Sequence, residues 1–330
     1  MSGRTILAAA VRKARRTDRI AISTPGDFVL EPWTRIGRET DEPLLPYCLD
    51  FLRRRSLYVG GVDREGAQTA PFYYLYLRRQ ARRVVSVPWE AGALAPGAPR
   101  APVFLFSPGR CGSTLLSRIL SAAGLANVSE PDFYTQATTA VAASGLNPFR
   151  ATIAHAAANM GADLAAALDA ARPPVVKLRA ESCRAPQLLV QAAERRTLFM
   201  TRGFESWARS NGRAFRNGAQ KSVGKYLRAI GCYAWLKQNS DCHLVRYEDL
   251  LDDAPAAMAA LGRFLGGAIA PDAVNAIMKE DSQAGTPVAQ GARPDLPGWE
   301  RRFDETVALW NSDRVRRARD RLAVDELRTG

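Results

Sequence analysis

Apolar residues in this chain come in short runs, separated by polar or Gly/Pro-containing breaks. The clearest run is Val103–Phe106, four β-prone residues of the length expected for one buried strand. Ser107-Pro108-Gly109 interrupt it. Leu115, Leu116, Ile119 and Leu120 then fall at helical spacing, so the stretch reads as strand, tight loop, helix. Gly124 is the expected helix stop. Asn127–Ser129 reads as a short strand, and Pro131 biases Glu130 towards an extended strand end. Residues 135–172 are Ala-rich and helical in pattern. Pro174–Leu178 is a strand carrying Lys177, Arg184–Ala193 a helix, and Thr197–Thr201 another strand, directly followed by Arg202. Val245 ends a further strand. Glu248–Leu251 begins a helix that Asp253 and Pro255 restart, packed by Leu261, Phe264 and Leu265. A Gly/Pro-rich loop covers 282–298, and Asp304–Leu327 reads as one or two amphipathic basic helices. Strand and helix alternate, which predicts an α/β fold with a central parallel sheet flanked by helices. Ligands of such sheets sit at the carboxyl ends of strands, where the 107–114 loop, Glu130 and Arg202 all fall.

The first hundred residues follow a different rhythm. Ile6–Val11 suggests a short helix, and Pro43–Leu57 a second one carrying Leu44, Leu45, Cys48, Leu49 and Leu52. Pro71–Leu77 and Arg83–Trp89 read as two strands joined by Arg78–Arg82, with Tyr73, Tyr74 and Tyr76 alternating between the faces of a sheet. Ala91–Pro102, rich in Ala, Gly and Pro, is the best linker. The expected organisation is an N-terminal mixed α+β extension over 1–98 and an α/β domain over 99–330. The extension shows no catalytic constellation; it is left to shape an acceptor site, support a homodimer, or extend the core.

Composition narrows the class. With 47% hydrophobic and 24% charged residues the 330-residue chain is globular. No apolar run approaches the length of a membrane span, and the N-terminus places its basic stretch after a short apolar run, the reverse of a secretory signal; a cytoplasmic protein is expected. Five scattered cysteines with no CxxC pair argue against a disulfide framework. The two histidines, His155 and His243, show no metal-ligand spacing, so neither a metal site nor a histidine base is expected. The net charge of +13 is carried mostly by arginine; only Lys13, Lys177, Lys221, Lys225, Lys237 and Lys279 are lysines. A polyanionic ligand would suit that balance. The Arg12–Arg16, Arg53–Arg55 and Arg78–Arg83 runs lack the interleaved stacking aromatics of a single-strand binder, so nucleic acid is not the expected partner.

The chemistry concentrates in the loop. Gly109 and Gly112 permit unusual backbone angles and close approach, the first N–H groups of the following helix have no internal partners, and the helix dipole adds positive potential. Ser113 and Thr114 add hydroxyls, and Arg110 adds a planar fork of donors. A phosphate-like group is the natural ligand. A nucleotide-hydrolysing P-loop needs Gly-Lys-Ser/Thr, and here Gly112 is followed by Ser113 with no Lys in the loop. Cys111 reads as a small loop filler. Arg202 and Ser210, separated by two helical turns, share one half of a helix surface and could converge on a second anion.

Four ordered features, Arg110-Cys-Gly-Ser-Thr-Leu after a strand, Ser129-Glu130-Pro131, strand-ending Arg202 with Ser210, and Val245-Arg-Tyr-Glu-Asp-Leu-Leu before a helix ending Phe264-Leu-Gly, together resemble the PAPS-dependent sulfotransferases over residues 102–302. The motif likeness is to the protein-tyrosine and carbohydrate enzymes. The resemblance implies a P-loop-like core. Arg110, Cys111, Gly112, Ser113, Thr114 and Leu115 would hold the 5′-phosphosulfate of PAPS. Arg202 and Ser210 would hold the 3′-phosphate, and Tyr247 would join the cofactor site. Glu130 falls where those enzymes carry a catalytic Glu, Lys177 is similar to their catalytic Lys, and Ser282 to their late Ser. Arg293, Arg301 and Arg302 are implied as further 3′-phosphate contacts, although the RKG-type closing motif of the cytosolic members is absent.

The resulting expectation is a metal-independent sulfotransferase that moves a sulfuryl group in line from PAPS, leaving PAP, to a hydroxyl of a carbohydrate, peptide or small metabolite. Glu130 would act as base, and Arg110 and Lys177 would stabilise the leaving oxygen. The alternatives are an ATP-dependent phosphotransferase, a sulfotransferase-like scaffold that binds PAP without turnover, and a non-catalytic basic polyanion-binding or nucleic-acid-binding protein. The acceptor is not encoded in any of these motifs.

Overall fold

The computed structural model of the protein describes residues 5–38, 42–95, 101–144, 149–168, 172–191, 194–269, 274, 277, 296–322 and 324. They form two compact units. Unit 1 takes in residues 1–103, 124–178 and 187–189; unit 2 takes in 104–123, 179–186 and 190–330. Elements are numbered along the chain.

Unit 1 holds an antiparallel sheet of β1 (Ile6–Ala14), β2 (Phe28–Leu30), β3 (Thr34–Ile36), β4 (Leu45–Asp50), β5 (Arg55–Gly60) and β6 (Arg83–Pro88), in the order β2-β1-β6-β5-β4. β3 also pairs with β1, at the opposite end from β2: Ile6 faces Ile36, and Ala14 faces Phe28. The structure corrects three sequence expectations here. Ile6–Val11 is strand, not helix. Pro43–Leu57 is no helix either, but most of a β-hairpin, turning at Phe51–Arg54. All six residues of β4 are buried, so the run shows no alternation, and Pro46 is tolerated beside an irregularity in register. Pro71–Leu77, in turn, is not a strand. After α1 (Arg64–Thr69) comes α2 (Tyr73–Gln80), a helix that buries Tyr73, Tyr74, Leu75, Leu77 and Arg78. The Arg83–Trp89 strand is present as β6.

The exposed edge of β4 is closed by α4 (Asp132–Ser144). Gln136 accepts a hydrogen bond from Leu49 N at 2.8 Å and donates to Leu49 O at 3.3 Å and to Ser23 O at 2.9 Å. An edge strand is thereby denied to other chains. Unit 1 also contains α5 (Arg150–Ala167) and a parallel pair, β8 (Asn127–Ser129) with β9 (Val175–Lys177).

Unit 2 is the α/β part. β7 (Val103–Phe106), β10 (Arg196–Thr201) and β11 (Asp241–Arg246) are parallel, with β10 in the middle. Helices connect and flank them: α3 (Ser113–Ala122) after β7, then α6 (Phe204–Ala214) and α7 (Ala219–Asn239), α8 (Tyr247–Asp252), and α9 (Ala254–Leu265), whose first turn is capped by Asp253. The C-terminal helices are α10 (Trp299–Trp310) and α11 (Asp313–Asp320). Trp310 of α10 stacks on Phe204 of α6 at 3.9 Å. The protein is thus α/β, with parallel strands flanked by helices and an N-terminal antiparallel sheet. The helix expected over Arg184–Ala193 is replaced by two 3-10 turns, Ala180–Arg184 and Pro186–Leu188, because Pro186 cannot supply the N–H a continuing α-helix needs. Among the described residues, no helix is long and apolar enough to cross a membrane.

Candidate functional site

In unit 2 the sequence Ser107–Gly112 forms the loop between β7 and α3. Gly109, Arg110 and Gly112 all have left-handed backbone, at φ +71°, +58° and +89°. These angles turn the chain sharply into α3, whose first N–H groups have no partner inside the helix, while the Gly109 N–H donates to Ser107 Oγ at 3.2 Å. For Arg110, which carries a side chain, that backbone is strained, and strain of this kind collects at functional sites. Gly112 is obligatory. A methyl group there would lie 2.4 Å from the Tyr247 ring and 3.0 Å from Met200 Cε. Its carbonyl accepts from Leu116 N and so starts α3. Ser113 and Thr114 are buried in the first turn, Cys111 is wholly buried with Sγ 3.5 Å from Met200 O, and Leu115 is buried as well. Cys111 is the filler its size suggests.

α6 holds this loop. Trp207 donates from Nε1 to Gly109 O at 2.7 Å, and Arg110 donates from Nε to Ser210 Oγ at 3.3 Å. Arg202 stands at the carboxyl end of β10. Its Nε donates to Ser206 Oγ at 2.6 Å, its guanidinium lies 4.4 Å over the Tyr247 ring, and its carbonyl accepts from Tyr226 OH at 2.5 Å. Burial pushes the Tyr226 phenol up to about 12, so it serves as a fixed donor. Glu248 accepts from Gly203 N at 2.9 Å, which fixes the start of α6. Ser206 and Ser210, four residues apart, lie on one face of the helix. The partners therefore run Arg202 to Ser206 and Arg110 to Ser210. Tyr247 touches the surroundings of both glycine loop and Arg202.

Unit 1 carries a second cluster. Glu130 sits immediately after β8 with φ +63°, again left-handed for a residue with a side chain. Its N–H donates to Lys177 O at 2.7 Å. Lys177, at the end of β9, donates from Nζ to Glu130 Oε1 at 2.8 Å and to Ser129 Oγ at 3.1 Å. The Ser129 hydroxyl in turn donates to Pro71 O at 2.6 Å, and the ammonium lies 5.6 Å over the Phe72 ring. The Lys177 side chain is 3% exposed and that of Glu130 14%, a nearly dry ion pair. Its geometry holds a carboxylate in one orientation with one oxygen committed to a cation.

Ser282 and Arg293 lie outside the described residues. Arg301 is exposed and faces Glu305 at 3.7 Å. Arg302 donates to the carbonyls of Pro297, Gly212 and Leu296. Sequence reasoning missed Ser206, Trp207, Tyr226 and the Pro71–Ser129 bond. Only Ser206 left a signal, one helical turn beyond Arg202. The described residues contain no group of three His, Cys, Asp or Glu able to hold a metal.

The fold and loop define an α/β protein with an anion-suited strand–loop–helix. No protein-family model and no curated protein matches the chain. Among solved structures, a sulfotransferase domain from the curacin biosynthetic pathway is 17% identical over 70% of this chain and 99% of its own, with a TM-score of 0.41. Retinol dehydratase in complex with androsterone and PAP is 12% identical over 71% and 82%, at 0.37. A mouse sulfotransferase, SULT7A1, complexed with PAP is 14% identical over 68% and 90%, at 0.36. These overall similarities are low, and the function proposed below rests on the residues of the chain itself.

Proposed function

We propose that this protein is a sulfotransferase that takes a sulfuryl group from PAPS and passes it to a hydroxyl acceptor. The observation that carries the reading is the pair of basic stations in unit 2: the left-handed loop with Arg110, and Arg202 with its serines on α6, linked by the Arg110–Ser210 hydrogen bond. A nucleotide with anionic groups at both its 5′ and 3′ positions would use both; a simple adenylate would use one. The residues suit that donor. The start of α3 with the buried Ser113 and Thr114 fits a phosphosulfate end, and Arg202 over Tyr247 fits a phosphate beside an aromatic base.

In this reading Glu130 takes the proton of the acceptor hydroxyl, and Lys177 fixes and neutralises it. Arg110 supplies positive charge to the bridging oxygen as it leaves. Ser282, Arg293 and Tyr247 keep the roles the motifs imply. The acceptor class, whether carbohydrate, peptide or metabolite, is open in this proposal.

Calorimetric titration with PAP, AMP and ATP-magnesium tests it. Tight metal-free binding of PAP that AMP does not match, weakened at least tenfold in Arg202→Ala, is the expected result. Equal affinity for PAP and AMP, or a preference for ATP-magnesium, would sink the reading.

A further inference from the structure

We propose that Lys225 is a further anion-binding residue of the 107–112 loop, one that contacts the 5′-phosphate or phosphosulfate of the donor. The proposal rests on the donor reading of unit 2 and adds to it a cation from an element no motif marks.

Three observations place it. First, α7 brings the Lys225 ammonium to the loop backbone itself: a methyl group on Gly109 would sit 3.5 Å from Lys225 Nζ. Gly109 has no side chain to cover that approach, and its carbonyl is taken up by Trp207. Secondly, the ammonium is held there. It lies 5.5 Å over the Phe215 ring, and it faces Glu181 in the 3-10 turn Ala180–Arg184, whose Ala180 Cβ would be 3.4 Å from the same Gly109 position. Burial alone would raise the Glu181 pKa, but Lys225, then Arg179, a backbone hydrogen bond and Arg184, together more than offset it and hold the carboxyl below its ordinary value. Thirdly, the charge around that carboxylate does not cancel. Arg179, Arg184 and Lys225 all act on Glu181, and Arg228 stands close enough to be depressed by burial and by Arg184. One carboxylate among these cations leaves an excess of positive potential beside the loop.

The bland alternative is that Lys225 merely neutralises Glu181. It predicts that the lysine matters to stability and not to the ligand. The two ideas separate in a titration with the two ends of the donor taken apart. The full-length protein would be titrated with PAP, with AMP, which carries the 5′-phosphate alone, and with adenosine 3′-phosphate. Lys225→Ala should weaken PAP and AMP about tenfold, the scale of one charge-assisted hydrogen bond, while adenosine 3′-phosphate binds as before. Lys225→Arg should keep most of the affinity. Arg202→Ala should show the reverse pattern, losing adenosine 3′-phosphate and sparing AMP. Unchanged PAP affinity in Lys225→Ala would overturn this proposal alone, as would equal losses for the 5′ and 3′ ligands, which would mean the lysine acts through the fold. A wild-type protein that binds none of the three would overturn the donor reading and this proposal together.

Discussion

At the scale of single residues, backbone handedness is the most informative quantity. Gly109 and Gly112 are both left-handed, yet they tolerate a side chain very differently. A methyl on Gly109 meets Ala180 Cβ at 3.4 Å, ordinary contact, so Gly109→Ala pays only the strain of its angle, about 1–2 kcal/mol. A methyl on Gly112 meets the Tyr247 ring at 2.4 Å, and that ring is pinned under Arg202. Gly112→Ala adds overpacking to strain, and we expect it to cost about 2–4 kcal/mol in urea denaturation, together with loss of PAP binding. Equal destabilisation by the two substitutions would show that the ring moves freely. The strand–loop–helix shape was legible in the sequence, because Gly109 and Gly112 break an apolar run and Leu115, Leu116, Ile119 and Leu120 resume at helical spacing. The Arg110–Ser210 bond was not, since it depends on how the loop and α6 are placed in space. Glu130 is the same case. Pro131 marked it as extended, and the structure instead gives it φ +63°, held by the Lys177 carbonyl and ammonium.

At the scale of elements, the parallel strands were readable and the N-terminal region was not. β7 is wholly apolar and is followed by Ser107-Pro108-Gly109, β10 carries the apolar Leu198–Met200 just before Arg202, and β11 carries Leu244 and Val245 just before Tyr247. In unit 1 the same kind of run misleads. Ile6–Ala14 pairs with three strands, and β4 is buried throughout, so neither shows alternation; the Tyr-rich α2 has strand-forming residues but packs as a helix around Arg78. Tertiary pairing decides such segments. β11 offers a test of an element's packing through pH. His243 stacks on Phe264 of α9 at 5.1 Å, and burial lowers its pKa below the ordinary 6.5, with Asp241 opposing. The folded state therefore binds fewer protons here than the unfolded chain. Stability from this group is complete above about pH 6.5 and is lost as pH falls towards the folded value. His243→Phe should flatten the fall in unfolding midpoint between about pH 7.5 and 5.5. An unchanged slope would mean that other groups carry it.

At the scale of the whole molecule, the excess of arginine is spent partly inside. The runs that looked like a basic surface include Arg78, fully buried, and Arg55, which donates to Ser86 Oγ, Ser86 O and Thr5 O. Arg78 ties together segments far apart in unit 1. It donates to Tyr47 OH at 3.0 Å, to the carbonyls of Arg16, Arg19 and Ala21, and to Ser23 Oγ, and it faces Asp27 at 3.2 Å. Asp27 also takes Tyr47 OH and Arg16, and burial raises the Tyr47 pKa so that the phenol stays a donor. Ser23, at the end of that tied segment, donates from N at 2.7 Å and Oγ at 3.0 Å to Asp132, two residues beyond Glu130. The N-terminal strands and the Glu130 turn are thus joined through one buried arginine. Arg78→Met keeps the volume and removes the charge. It leaves Asp27 buried with the half-buried Arg16 as its cation and removes one donor from each of the Arg16, Arg19 and Ala21 carbonyls, the first two of which keep a backbone N–H, so it should destabilise unit 1 by about 3–5 kcal/mol, the cost of breaking a buried pair. Hydrogen exchange locates the effect. Protection should fall in β1, β4 and the start of α4, with β10 and β11 far less changed. A loss below about 1 kcal/mol would show that water replaces the guanidinium, and the arginine would then be a passenger in the core rather than its tie.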